Sequence, residues 1–191
     1  MKITNLNKIS KIFFNYEDIA KAFNISRPSA IVTANRYVQA GLIIRLKRNL
    51  YILREKWESL GRDQLLQLGN LLQVPSYISL MTALSYYDIT TQIQQGYIES
   101  ISVKRTRQFN IENCIFTYSK IKPELYKDFI RENELFIAKP EKAFLDAIYL
   151  QHLGYYKIDL PSIDLTKLNE KLINNFAKSY PPSIQQMVKR L

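Results

Sequence analysis

The chain has 191 residues, 47% apolar and 23% charged, the make-up of a globular protein with room for a sizeable core. One cysteine (Cys114), one histidine (His152) and five glycines exclude an internal disulfide framework and argue against zinc centres and glycine-rich phosphate loops. The net charge of +10 is concentrated: residues 1–57 carry 11 basic and three acidic side chains (Glu17, Asp18, Glu55), a net of +8, ahead of a near-neutral remainder.

Such a basic N-terminal third is the footprint of a module that meets a polyanion. Met1–Asn5 lacks the apolar stretch of a signal peptide, and no run approaches 18 apolar residues. A cytoplasmic protein without a membrane partner is therefore expected. The fold expected is α+β and mostly helical: a winged helix-turn-helix over residues 1–57, then a mixed α/β domain over residues 58–191.

Leu6, Ile9 and Phe13 recur at the helical period, which predicts a first helix from about residue 5 to 14. Asn15 is a good N-cap for a second helix, with Glu17 and Asp18 near its positive end and Ile19, Ala20 and Phe23 inward. Asn24-Ile25-Ser26 is a tight connection, Ser26 caps a third helix, and Pro28 sits early in it, where its missing N–H costs little. Ala30, Ile31, Ala34 and Val38 make its expected buried face, and Gly41 ends it. Arg27, Ser29, Thr33, Arg36 and Gln39 are left outward. Small hydroxyls and arginines on such a helix suit a major-groove reader, because Arg can bond guanine bidentately.

Two short apolar runs then flank Lys47-Arg48-Asn49, a hairpin with a basic tip, in the place of a wing that meets the adjacent backbone or minor groove. Ser26, Arg27, Ser29, Thr33, Arg36, Arg45, Lys47, Arg48 and Asn49 are the candidate DNA-binding residues. Arg36 and Arg27 are assigned to bases; Lys47, Arg48 and Arg45 are assigned to phosphates.

In the second part, residues 55–73 read as a helical run broken by Gly61 and Gly69, and Val74-Pro75-Ser76 interrupts it. Ser79 caps a helix through Tyr87. A strand over Tyr97–Val103 pairs with Cys114–Tyr118, with the basic turn Lys104-Arg105-Thr106-Arg107 between them. Residues 123–133 read as a helix, Phe136–Ala138 as a strand, and Pro140 opens a helix with Lys142 and Asp146 on its more exposed side. Leu160–Phe176 reads as a helix, and a short last helix follows Pro181-Pro182.

Catalytic signatures are missing: no phosphate-binding glycine loop, no His-Glu-x-x-His and no Cys-x-x-Cys. His152 reads as a surface histidine and Cys114 as a small buried hydrophobe. No enzyme activity, catalytic residue, cofactor or metal is expected.

The order of segments carries a resemblance. Val74-Pro75-Ser76-Tyr77-Ile78-Ser79-Leu80-Met81-Thr82-Ala83-Leu84-Ser85-Tyr86-Tyr87-Asp88-Ile89, the strand into Lys104–Arg107, and Ile137-Ala138-Lys139-Pro140-Glu141-Lys142-Ala143-Phe144-Leu145-Asp146 resemble the AbiEi family of antitoxins from bacterial type IV toxin–antitoxin and abortive-infection systems. The resemblance spans about residues 5 to 155. It implies a repressor of its own operon that binds inverted repeats of promoter DNA with two or more protomers. It also implies a C-terminal domain that counteracts a nucleotidyltransferase toxin, without need of a stable complex. The neutralising surface is placed at Lys104, Arg105 and Arg107 with Lys142 and Asp146. Two other readings stay open: a winged-helix regulator whose C-terminal domain senses a ligand or mediates assembly, with no toxin, and an RNA-binding module. The last is disfavoured because few aromatics interleave with the basic residues.

Overall fold

A computed structural model describes residues 3–92 and 94–190, and the chain divides into two compact units, Met1–Arg62 and Asp63–Leu191. Among the described residues there are eight α-helices, a two-stranded hairpin and a six-stranded mixed sheet, an α+β architecture.

The first unit departs from expectation at its start. A short 3-10 helix covers Ile3–Lys8, after which the chain is irregular and bends at Ile12 and Phe13, so the helix expected over residues 5–14 is only half formed. The reason lies in the following cap. Asn15 closes a capping box, its Oδ1 accepting from Asp18 N–H at 3.0 Å while Asp18 Oδ2 accepts from Asn15 N–H at 2.9 Å. A cap residue is non-helical, and the residue before it is free to pair elsewhere. Phe14 does so, exchanging backbone hydrogen bonds with Tyr51 at 3.0 and 2.8 Å, and Phe14 rather than Phe13 is buried.

Helix α1 (Tyr16–Phe23) ends at Asn24 in the left-handed region (φ 51), and Ser26 caps α2 (Arg27–Gln39), accepting from Ser29 N–H. Gly41 (φ +69) turns the chain into strands β1 (Ile43–Lys47) and β2 (Leu50–Leu53), an antiparallel hairpin; a short helix α3 (Arg54–Glu58) follows. Leu6, Phe14, Ile19, Ala30, Ala34, Tyr37, Ile43 and Tyr51 make one contiguous core for these elements.

The second unit is built around the sheet. Helix α4 (Arg62–Leu72) runs through Gly69 without a break. A Cβ there would stand 3.0 Å from Ile78 Cδ1 and 3.2 Å from Ile98 Cγ2, so this glycine lets the helix approach the sheet closely rather than ending it. Strand β3 (Ser76–Ile78), where only an interruption was expected, leads into α5 (Leu80–Tyr86). Strands β4 (Tyr97–Ser102), β5 (Arg107–Ile111), β6 (Cys114–Lys120), β7 (Phe129–Glu132) and β8 (Leu135–Ala138) complete a sheet of order β5-β6-β4-β3-β8-β7.

Strands β4 and β6 do pair, but parallel, Ile98 opposite Phe116. The basic stretch is therefore no hairpin turn: Lys104, Arg105 and Thr106 are exposed loop, and Arg107 begins the unexpected edge strand β5. Strand β4 is buried along nearly its whole length and needs covered neighbours on both sides, which β3 and β6 provide.

The helix expected over residues 123–133 is absent. A 3-10 turn at Pro123–Leu125 gives way to β7, whose Phe129 ring stacks on Tyr77 at 4.6 Å between centroids. Tertiary pairing with β8 outweighs the local apolar spacing there. Helix α6 (Pro140–His152) starts as expected but is buried continuously from Glu141 to Leu150. The long helix expected from Leu160 contracts to α7 (Glu170–Ala177), because two 3-10 turns, one containing Pro161, precede its Asn169 cap. Helix α8 (Pro182–Val188) follows Pro181. No helix among the described residues is long and apolar enough to cross a membrane.

Candidate nucleic-acid interface

Helix α2 is held by its inner seam. Ala30, Ala34 and Tyr37 are buried, while Ile31 and Val38 are only partly so. With Tyr37 taken into the seam and both Ile31 and Val38 moved off it, the inward direction turns by about 50° from the one the expected seam implies, at 100° per residue. The outward face accordingly comprises Ser29, Val32, Asn35, Arg36 and Gln39, all exposed, and Thr33 moves to a half-buried flank. Val32 and Asn35 are the residues that sequence reasoning missed. Only the identity of the buried aromatic would have found them.

The other expected residues separate into free and engaged groups. Arg36, Arg45 and Arg48 are exposed and carry no ion pair among the described residues. Lys47 is half-buried at the end of β1. Arg27 is exposed, but its Nε donates to Glu17 Oε1 at 2.9 Å. Ser26 is used locally, its Oγ lying 2.9 Å from Ser29 Oγ and capping the helix.

Asn49, expected at the basic tip as a contact, is part of the frame. It sits in the left-handed region (φ 58), its Oδ1 accepts from Tyr16 N–H at 2.8 Å, and its Nδ2 donates to Glu17 Oε2 at 3.4 Å. The hairpin tip is thereby tied to the first turn of α1. Glu17 is the hub: its own backbone N–H, then the Asn49 amide and Arg27, hold its carboxyl below the usual carboxylate range. One carboxylate thus stands among the exposed cations of this face.

In the second unit the residues assigned to a neutralising surface divide sharply. Lys104, Arg105 and Arg107 are exposed, with the Arg107 guanidinium 4.2 Å over the Phe109 ring. Lys142 and Asp146, expected on the exposed side of their helix, are 1% and 0% exposed. Lys142 Nζ donates to Asp146 Oδ1 at 2.5 Å and to Tyr180 Oη at 2.6 Å. Asp146 further accepts from the hydroxyls of Tyr77, Ser79 and Tyr180, each at 2.9 Å. A buried charge persists only when it is paired and its hydrogen bonds are filled, which this cluster achieves. Lys142 and Asp146 thus face one another rather than solvent.

Burial next to Asp146 pushes the Tyr77 and Tyr180 phenols well above their usual range. Elsewhere Glu99 is 2% exposed, and burial raises its carboxyl to about 7; its Oε2 has no hydrogen-bond partner among the described residues. Cys114 is buried, as expected, and His152 Nε2 lies 3.1 Å from Ser183 Oγ on the surface. No group of three or more His, Cys, Asp or Glu able to hold a metal occurs among the described residues. The chain matches no protein-family model and no curated protein.

Proposed function

We propose that the first unit is a winged helix-turn-helix that binds double-stranded DNA, α2 entering the major groove and the β1–β2 hairpin serving as the wing. The observation that carries this reading is the placement of unpaired Arg36, Arg45 and Arg48 on a polar helix face and the following hairpin. The tight α1–α2 connection and the Phe14–Tyr51 bridge, which adds a third line to the hairpin, support it. Arg36 reads a base edge, and Arg45, Lys47 and Arg48 meet phosphates.

For the whole chain the reading is a cytoplasmic, non-enzymatic antitoxin of a type IV system. It represses its own operon at inverted repeats, with two or more protomers on the DNA, and counteracts a nucleotidyltransferase toxin through the second unit. The sequence resemblance supports this half. Its two most specific segments, Pro75–Ser79 and Pro140–Asp146, meet in the Tyr77–Ser79–Asp146 hydrogen-bonded cluster. Lys104, Arg105 and Arg107 remain the exposed candidates for the neutralising surface.

One observation favours the alternative of a ligand-sensing regulator. A half-open pocket of about 540 Å³ in the second unit is lined mainly by Leu71, Val74, Pro75, Tyr126, Phe129 and Phe136, with Gln67, Asn70, Ser76, Arg131 and Glu134 among them. Its volume and its mainly apolar lining with a few polar groups are those of small-molecule sites.

The test is fluorescence anisotropy of the pure protein against a duplex from upstream of its own gene and a scrambled duplex, over a salt series. Preference for the first by about a thousandfold or more is expected. With about five phosphate contacts, log K falls against log salt at a slope of about −4 to −5 per protomer. Equal, weak binding to both would leave only a generic polyanion surface. Co-expression with the neighbouring gene, scored by growth, then separates antitoxin from ligand-sensing regulator.

A further inference from the structure

Val32 is 49% exposed in the middle of α2, the only exposed large hydrophobic among the described residues of the first unit. A β-branched residue in an exposed helix interior lowers helix propensity, and here it adds nothing to the core. Its position on the helix is specific. At 100° per residue, the mean direction of Ala30, Ala34 and Tyr37 defines the inward line, and Val32 lies within about 15° of the line diametrically opposite. Gln39 lies within about 10° of that same line, two turns further on, while Asn35 and Arg36 flank it by about 50° on either side. The midline of the outward face is therefore an isopropyl group framed by amides and a guanidinium.

That composition has a chemical counterpart in the major groove. Of the four base-pair edges, only those with thymine present a methyl group, beside the adenine N6 and N7 that an amide can bond. A polar or charged side chain at position 32 would suit phosphates or guanine; an isopropyl group suits neither. Resting on the reading of the first unit as a DNA-binding module, we propose that Val32 is a specificity-determining residue that packs on the C5-methyl of a thymine in each half-site. The preferred half-site then contains at least one T·A pair whose thymine methyl is required.

The test starts from the full-length protein and a pool of duplexes with randomised sequence. Every thymine of the enriched duplex is then replaced, one at a time, by deoxyuracil, which lacks only the methyl. One thymine per half-site is expected to lose about fourfold in affinity, the worth of one buried methyl group. Val32→Ala, which raises helix propensity and touches no core residue, is expected to bind about as weakly as the wild type on that deoxyuracil duplex and to be indifferent to the same replacement. If a sequence is enriched but no thymine methyl matters, or if Val32→Ala keeps the full deoxyuracil penalty, the assignment of Val32 is overturned while specific DNA binding stands. If no sequence is enriched at all, the DNA reading beneath it fails, and this inference with it.

Discussion

The two units use charge in opposite ways. The first displays it: Arg36, Arg45 and Arg48 stand exposed, and its polar side chains Asn15, Ser26 and Asn49 are employed as caps and ties that shape the display. The second, apart from its Lys104–Arg107 loop and β5 edge, hides some of its most consequential charges, with Lys142, Asp146 and Glu99 inside. An exposed charge adds little to stability and is free to meet a partner, whereas a buried one is tied to the fold by the cost of leaving it uncompensated. The same residue types therefore point to binding in one unit and to architecture in the other.

The largest expected effect probes the buried side of that contrast. Lys142→Met leaves the Asp146 carboxylate with three hydroxyl donors and no counter-charge. Unfolding in urea should show a loss of about 3–5 kcal/mol, and the Lys142→Met/Asp146→Leu double variant should recover much of it. A single variant as stable as the wild type would mean the pair contributes nothing to the second unit.

Glu99 comes next. Its carboxyl titrates near 7 in the folded chain against 4.5 for an unperturbed group. Below 4.5 it is neutral in both states. Between 4.5 and about 7 the unfolded chain gives up its proton and the folded chain keeps it, so stability falls as pH rises. The gap corresponds to on the order of 3 kcal/mol, lost in full above about pH 7. Glu99→Gln should flatten that fall between pH 5 and 8; parallel profiles would show that the carboxyl is not held neutral.

The displayed side gives smaller effects, read in binding. Arg36→Ala should cost about 1–3 kcal/mol on the preferred duplex and little on random DNA, with the melting temperature nearly unchanged. Equal losses on both duplexes would make Arg36 a phosphate contact. Smallest is Glu17→Gln, which frees Arg27 from its exposed partner. Stability should barely move, because an ion pair this exposed is screened by solvent and contributes little. Affinity for any duplex should rise, with the salt slope steeper by about one. Unchanged affinity would place Arg27 off the interface.

Helices α1 and α2 and the hairpin of the first unit were legible because their signals are local. A cap residue, a proline early in a helix, a glycine after it and two apolar runs around a polar tip each act within a few residues of themselves. Asn15, Ser26 and Gly41 sit where those rules place them. What was lost there was the second half of the helix expected over residues 5–14, where Phe14 pairs with the distant Tyr51, and the exact rotation of α2, where only packing chooses Tyr37 over Val38.

In the second unit the decisive information is non-local. Arg107–Ile111 alternates too briefly to announce a strand, and it becomes one by pairing with β6. Phe129 belongs to a helical spacing until its ring stacks on Tyr77, fifty-two positions earlier in the chain. Helix α6 is buried on all sides from Glu141 to Leu150, so it has no polar face against which to recognise an exposed lysine.

By itself the sequence determined the α+β class, the concentration of positive charge in the first third, the caps that start α1 and α2, the proline that opens α6, and the absence of disulfide cross-links within the chain. Only the tertiary structure decided the parallel pairing of β4 with β6, the outward position of Val32, and the burial of Lys142 with Asp146 and Tyr180. The physical reason is range. Caps, turns and charge totals are settled by neighbours in sequence, whereas strand order, helix rotation and the fate of a buried ion pair depend on groups that only folding brings together.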